Sequence, residues 1–435
     1  MEVERDHLEV YRRSQVFVVG GQPTITYNPR PEQGLRGRFE DYLEERGRIL
    51  FLTGPTKAGK TVLVREVLPK AVRVSGGEVS SVEDFWADIV DSLAVYTDES
   101  AEWNKGASAQ EGNAFGAAAK VGGSGVDAKH EQVEGTEQGR RYVQSRARDP
   151  RRVAKQELLK TRPAVVVDDF HHVDPGVQRQ IVRGVKDLVF EGVPVIFIAV
   201  PHRAADIVRA EREMAQRVEQ LQINSWSQSE LEEIARAGFD ALNLDCPSEL
   251  ADEMAQESYG SPHLMQDFCL QICKANEIRE TVPERQVLIS TNLEGWFRDL
   301  AAREGTDESF RKLSQGPRQR TDRKQRLLKK GGETDIYGAV LQAIAWTGPK
   351  AELDWTEVRV ALRDVLAEEP PQRHEYTRVL EQMSEIARAM MWDKENKRYV
   401  GDPVLEFDSD LGTLHISDPF FAFQLRWAIR PTNGQ

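Results

Sequence analysis

Cysteine is scarce in this 435-residue chain, which carries only Cys246, Cys269 and Cys273. Three thiols cannot build a disulfide framework, and such low usage fits a reducing compartment. Long apolar runs are missing too. No stretch approaches the roughly 18 residues that a membrane helix needs, so no membrane partner is expected. The N-terminus, MEVERDHLEVYRRSQ, is charged and lacks an apolar secretory core, which points to the cytoplasm. Positive charge is in deficit. A net charge of −13 repels polyanions at long range and argues against a generic nucleic-acid coat. There is no tandem repeat, nucleophile elbow or Gly-rich dinucleotide turn.

What is present is a globular composition, 40% hydrophobic and 30% charged, in a chain long enough for two or three domains. Short Val/Ile-rich runs end in Thr53, Asp168 and Val200, and two more cover AVRVS (from Ala71) and VEQLQI (from Val218). Helical periodicity separates them. Continuous apolar strands alternating with helices predict a parallel sheet covered on both faces, an α/β core over residues 1–226. Residues 98–138 are rich in Gly, Ala, Ser and charge, and read either as a mobile insertion or as a small-residue hairpin. A polar helix is expected from about Arg140. Residues 227–303 read as all-helical and 304–335 as a basic linker. Within it, residues 311–330 hold nine Lys or Arg against one acid, Asp322, a candidate contact for DNA or a solvated linker. Residues 336–435 read as three helices, then strand-like MMWDKENKRYV and GTLHISD, the order of a winged helix.

The sequence GPTKAGKT, Gly54 to Thr61, fits G-x-x-x-x-G-K-[ST] in full, with an apolar strand before it and a helix after. Gly54 and Gly59 permit backbone angles other residues resist. Pro55, Thr56, Lys57, Ala58 and Val62 line an anion cradle, in which the N–H groups of all but Pro55 and the helix N-terminus are the donors. Lys60 reaches terminal phosphates, and Thr61 ligates Mg²⁺. In PAVVVDDFHHVD, Asp168 ends a buried strand where it can hold Mg²⁺, and Asp169 can orient an attacking water. His171 and His172 follow; they could join the site or simply shape the turn. Cys269 and Cys273, four residues apart near His263, read as buried free thiols rather than half a metal site.

The order of phosphate loop, strand with paired acids, third strand and helical lid resembles an AAA+ ATPase. More narrowly it is similar to the branch holding replication-initiator ATPases, AAA-type transposition ATPases and STAND switches. The resemblance implies ATP and Mg²⁺ as ligands, a helical lid over 227–303 and a C-terminal winged helix. It implies that His202 senses the terminal phosphate and that Arg217, or Arg212, reaches a neighbouring subunit's site. Tyr27 and Arg30 fall in the segment that packs on adenine. His263 falls where a lid arginine stands in initiators. An ATP-dependent homo-oligomer, a protein partner and a role in prokaryotic defence or regulation are implied; DNA transactions are the alternative.

Overall fold

The computed structural model describes residues 9–94, 149–200, 217–289, 292–303, 307–317, 323–395 and 398–429, and the backbone of 98–105, 129–136 and 139–147. Five parallel strands form the core: β1 (Ile49–Thr53), β2 (Val72–Ser75), β6 (Val165–Asp168), β7 (Val195–Ala199) and β8 (Val218–Gln222). Their order is β2-β6-β7-β1-β8. The reason lies in the side chains. Ile49 and Phe51 of β1 join Val165, Val167, Val195 and Phe197 on one face. Leu50 and Leu52 join Val166, Ile196 and Ile198 on the other. With successive residues pointing to opposite faces, a strand covered on both sides must be apolar throughout. Helices supply the covers. Val82–Ser92 and Pro175–Phe190 bury Phe85, Trp86, Ile181 and Val185 on the first face. Leu35–Glu45 and Lys60–Val67 bury Phe39, Tyr42 and Leu63 on the second.

Between β2 and β6 lies a separate antiparallel sheet, β3 (Asp98–Lys105), β4 (Lys129–Thr136) and β5 (Gly139–Ala147), with β5 central. The polar helix expected from Arg140 is therefore strand until Ala147, and the helix is Pro150–Thr161. Pairing of β5 on both edges, a non-local effect, decides this.

The helices Gln228–Ala241, Ser248–Gln256, Pro262–Ala275 and Leu293–Arg303 pack into a second cluster. Two short parallel strands, Leu244–Asp245 and Gln286–Val287, interrupt the all-helical expectation. The N-terminal segment also belongs here: Val16 and Phe17 are buried in this cluster. Cys269 and Cys273 lie in its core as free thiols.

The stretch read as a linker contains a helix, Asp307–Gln315, whose Leu313 is fully buried beside Tyr337. Its apolar residues Phe310 and Leu313, three apart, share one face, which local charge content obscured. The last unit runs Ile336–Trp346, Glu352–Asp354, Trp355–Val365, Arg373–Met390, Leu405–Asp408, Thr413–Ile416. Its sheet pairs 352–354, 413–416 and 405–408. Helix, strand, two helices and a hairpin is the winged-helix order. MMWDKENKRYV instead folds on itself, Trp392–Asp393 against Arg398–Tyr399, outside that sheet.

Candidate nucleotide site

The loop after β1 and the acids ending β6 meet at the carboxyl ends of the strands, where open α/β sheets bind ligands. Gly54 is required for a steric reason: a Cβ there would lie 2.7 Å from the Ile223 carbonyl oxygen. Gly59 has φ 91°, in the left-handed region, and opens the helix Lys60–Val67. Lys60 is buried, and its ammonium donates to the carbonyls of Gly54 (2.9 Å) and Pro55 (2.8 Å). Burial pulls its pKa down. Among the carboxylates opposing that shift, Asp402 acts more strongly than Asp169 or Asp168.

Thr61 Oγ1 donates to Asp168 Oδ2 at 2.8 Å. Two hard oxygen donors from separate elements therefore stand together, which suits Mg²⁺ rather than a softer ion. Thr61 and Asp168 would hold it, and it would offset phosphate charge. Asp169 has φ 49° and starts a single turn, Phe170–His172. Burial, then the Asp168 charge, raises its pKa; His171 and His172 oppose. Gly76 permits this turn to approach, since a Cβ there would sit 2.5 Å from the Asp169 carbonyl.

Tyr27 and Arg30 line one cleft with Ala58, Gly59, Val62 and Trp226. Arg30, however, is spent on structure. It is 3% exposed and donates to Glu230 (3.0 Å) and to the carbonyls of Asn224 and Ser225. Its guanidinium lies 4.7 Å from the Trp226 ring. Trp226 Nε1 donates to the Ala58 carbonyl at 2.9 Å, tying the cleft to the loop. His263 stands edge-on to Phe420, 5.2 Å between centroids, and burial lowers its pKa. It packs between the helical unit and the C-terminal helix, with Lys57 near enough to disfavour its charge. Arg217 is exposed just before β8. His202, with Arg203 and Arg212, lies outside the described residues.

No family model matches the chain, and no curated protein matches it in sequence. Solved structures with a similar fold include Cdc6p from Pyrobaculum aerophilum, 10% identical, covering 95% of this chain and 97% of that one, TM-score 0.40. The Aeropyrum pernix ORC2 protein in its ADPNP-ADP complexes is 12% identical, covering 94% and 95%, TM-score 0.47. The Thermotoga maritima RuvB Holliday junction branch migration motor is 11% identical, covering 88% and 91%, TM-score 0.36. At scores this low, the reading of the site rests on its own geometry.

That geometry includes residues from far along the chain. Asp402 and Asp418, both in the C-terminal unit, sit on the phosphate loop. Thr56 Oγ1 donates to Asp402 Oδ2 (2.6 Å), and Lys57 Nζ donates to Asp418 Oδ1 (2.9 Å) while lying 4.5 Å from the Phe420 ring. His171 Nε2 and His172 Nε2 lie 2.6 and 3.0 Å from Asp402 Oδ1. Burial alone would raise the Asp402 carboxyl; the bonds from His171, His172 and Thr56 hold it well below the usual carboxylate range. Neither acid is near the loop in sequence, so no local signal marked them. The pair His171–His172 was legible beside the acids. Trp226 carried no signal. Among the described residues, no helix is long and apolar enough to cross a membrane.

Proposed function

We propose that the chain is an ATP-binding switch of the AAA+ and STAND type that hydrolyses ATP with Mg²⁺. The supporting observation is the 2.8 Å hydrogen bond between Thr61 and Asp168, with Lys60 folded into the same loop. It joins a phosphate cradle to a cation site at the ends of two strands. In this reading Lys60 neutralises terminal phosphate charge, Thr61 and Asp168 hold Mg²⁺, and Asp169 orients the attacking water. Tyr27, with Trp226, borders the base. His202 contacts the terminal phosphate, and Arg217, exposed, reaches a second copy bound through ATP. A partner protein receives the signal in the cytoplasm.

DNA transactions have less support. Arg323 pairs with Asp335 (2.6 Å), Lys324 with Glu368 (3.3 Å) and Lys312 with Glu308 (2.7 Å). Cations neutralised by the protein's own acids release fewer counterions from a phosphate backbone.

The deciding test is ATP binding to the parent and to Lys60→Ala, read by calorimetry. The parent is expected to bind and the variant to lose at least about tenfold in affinity. Equal binding sinks the assignment. Single-turnover hydrolysis should fall about a hundredfold or more in Asp169→Asn. The mass of that variant with ATP against ADP then reports on Arg217: a discrete oligomer with ATP alone supports a shared site, and a monomer in both removes that role.

A further inference from the structure

Asp402 presents a carboxylate to the phosphate loop in a surround of donors. Thr56 donates to one oxygen, and the two histidine rings meet the other. Thr56 is the third residue of the loop motif, and Lys60 feels Asp402 more than the two strand-end acids. His171 is 6% exposed and Asp402 16%. The carboxylate therefore occupies a largely desolvated position among N–H, O–H and ammonium groups. Such a constellation suits an anion with several oxygens, and a phosphate group offers more acceptors and more charge than a carboxylate. His171 and His172 start their turn next to Asp169, on the core rather than on the C-terminal unit. They stay beside the loop whether or not Asp402 is there.

We propose that His171, His172 and Thr56 form the receptor for the terminal phosphate of ATP, and that Asp402 fills the same receptor when the C-terminal unit is docked. Carboxylate and terminal phosphate then exclude one another. ADP, lacking that phosphate, leaves Asp402 in place; ATP displaces it, and the C-terminal unit is released from the loop. The proposal rests on the ATP reading above and adds to it the discriminating residues and their competitor. The two histidines act as phosphate-binding residues.

The two histidines and Asp402 also have the composition of a cation site: one ligand atom from each of His171, His172 and Asp402 falls within a mutual 4.8 Å. A tetrahedral zinc ion with ligands at about 2.0–2.1 Å would set them roughly 3.3 Å apart, against the 2.6 and 3.0 Å from Asp402 Oδ1 to the two rings. Hydrogen bonding is favoured because Thr56 and the two rings already satisfy both carboxylate oxygens. The metal is an outcome of the test.

The experiment is calorimetric titration of the full chain with ADP and with the imido analogue of ATP, with Mg²⁺ present. Each titration is run in buffer freed of transition metals and again with zinc added. Asp402→Asn should tighten the ATP analogue about tenfold and move ADP by less than about threefold. Asp402→Ser removes the carboxylate without touching the histidine turn and should give the same preference. His171→Gln/His172→Gln should weaken the analogue about tenfold with ADP little changed. Equal gains for both nucleotides would mean that Asp402 merely covers the loop, and the exchange fails. A preference that appears only with zinc also overturns it, in favour of a metal site. If the parent binds ADP and neither Asp402 variant changes the preference, the exchange fails while the ATP reading stands. If the folded parent and both Asp402 variants bind neither nucleotide, the ATP reading itself falls.

Discussion

Among the described residues, two of the contacts that the C-terminal unit makes with the rest of the molecule are of opposite character. Against the helical unit it is aromatic: Phe423, 2% exposed, lies 5.0 Å from Phe268 and 5.8 Å from Phe297, and Trp427 lies 5.2 Å from Phe297. Glu257 backs this seam, accepting from Arg426 (2.8 Å) and from Trp427 Nε1 (2.7 Å). Against the phosphate loop the contact is polar, carried by Asp402 and Asp418. Apolar burial is non-directional and is neither screened by salt nor displaced by a competing anion, whereas a partly exposed pair such as Lys57–Asp418 is screened and a carboxylate such as Asp402 is replaceable by another anion. The two contacts therefore divide labour. If Asp402 yields to ATP as proposed, the aromatic seam keeps the helical and C-terminal units together while the contact over the loop opens.

The comparison can be broken most sharply at Phe423. Phe423→Ala should cost about 3–5 kcal/mol, read as a large drop in melting temperature, because it empties a closely packed site. A melt matching the parent's would show that the aromatic seam does not hold the units together.

A smaller effect is expected at Glu230, which caps Gln228–Ala241 through Ser227 and pairs with buried Arg30. Glu230→Gln should cost about 1.5–3 kcal/mol at neutral pH. Burial would raise the Glu230 pKa, but Arg30 and Ser227 bring it below its ordinary 4.5. A depressed folded pKa gives stability that is present above the unfolded value and lost as pH falls through the folded one. The gap in melting temperature between parent and variant should thus narrow as pH drops below about 4.5. A constant gap would mean that the carboxylate charge is irrelevant there.

The smallest stability effect belongs to Lys57 and Asp418, whose side chains are 27% and 25% exposed. Asp418→Asn should cost roughly 0.2–1 kcal/mol. Its sharper readout is hydrogen exchange. Raising salt should deprotect the amides around Asp418 while leaving those around Phe423 unchanged. Equal response at both contacts would erase the distinction drawn here.

Local pattern carried the core far. Strands with continuous apolar side chains, the loop GPTKAGKT and the acids of VVVDD were readable because each depends on residues adjacent in sequence. The same reading placed Arg30 by its neighbourhood and missed that its guanidinium is consumed by Glu230, some 200 positions away. It took 304–335 for a basic linker because charge outweighed Phe310 and Leu313, two apolar residues that matter only once Tyr337 is there to meet them. It gave MMWDKENKRYV to the wing, although the paired strands are 405–408 and 413–416.

The sequence by itself determined a loop of the phosphate-binding pattern, Thr61 and Asp168 beside it and a parallel sheet to hold them, since strand period, glycine freedom and helix dipole act over a few residues. Only the tertiary structure decided what covers that loop. Asp402 and Asp418 reach it from some 350 residues downstream. Nothing local distinguishes a carboxylate that will be desolvated against Thr56 and two histidines from one that will face water; the packing of the C-terminal unit against the aromatic seam makes that choice.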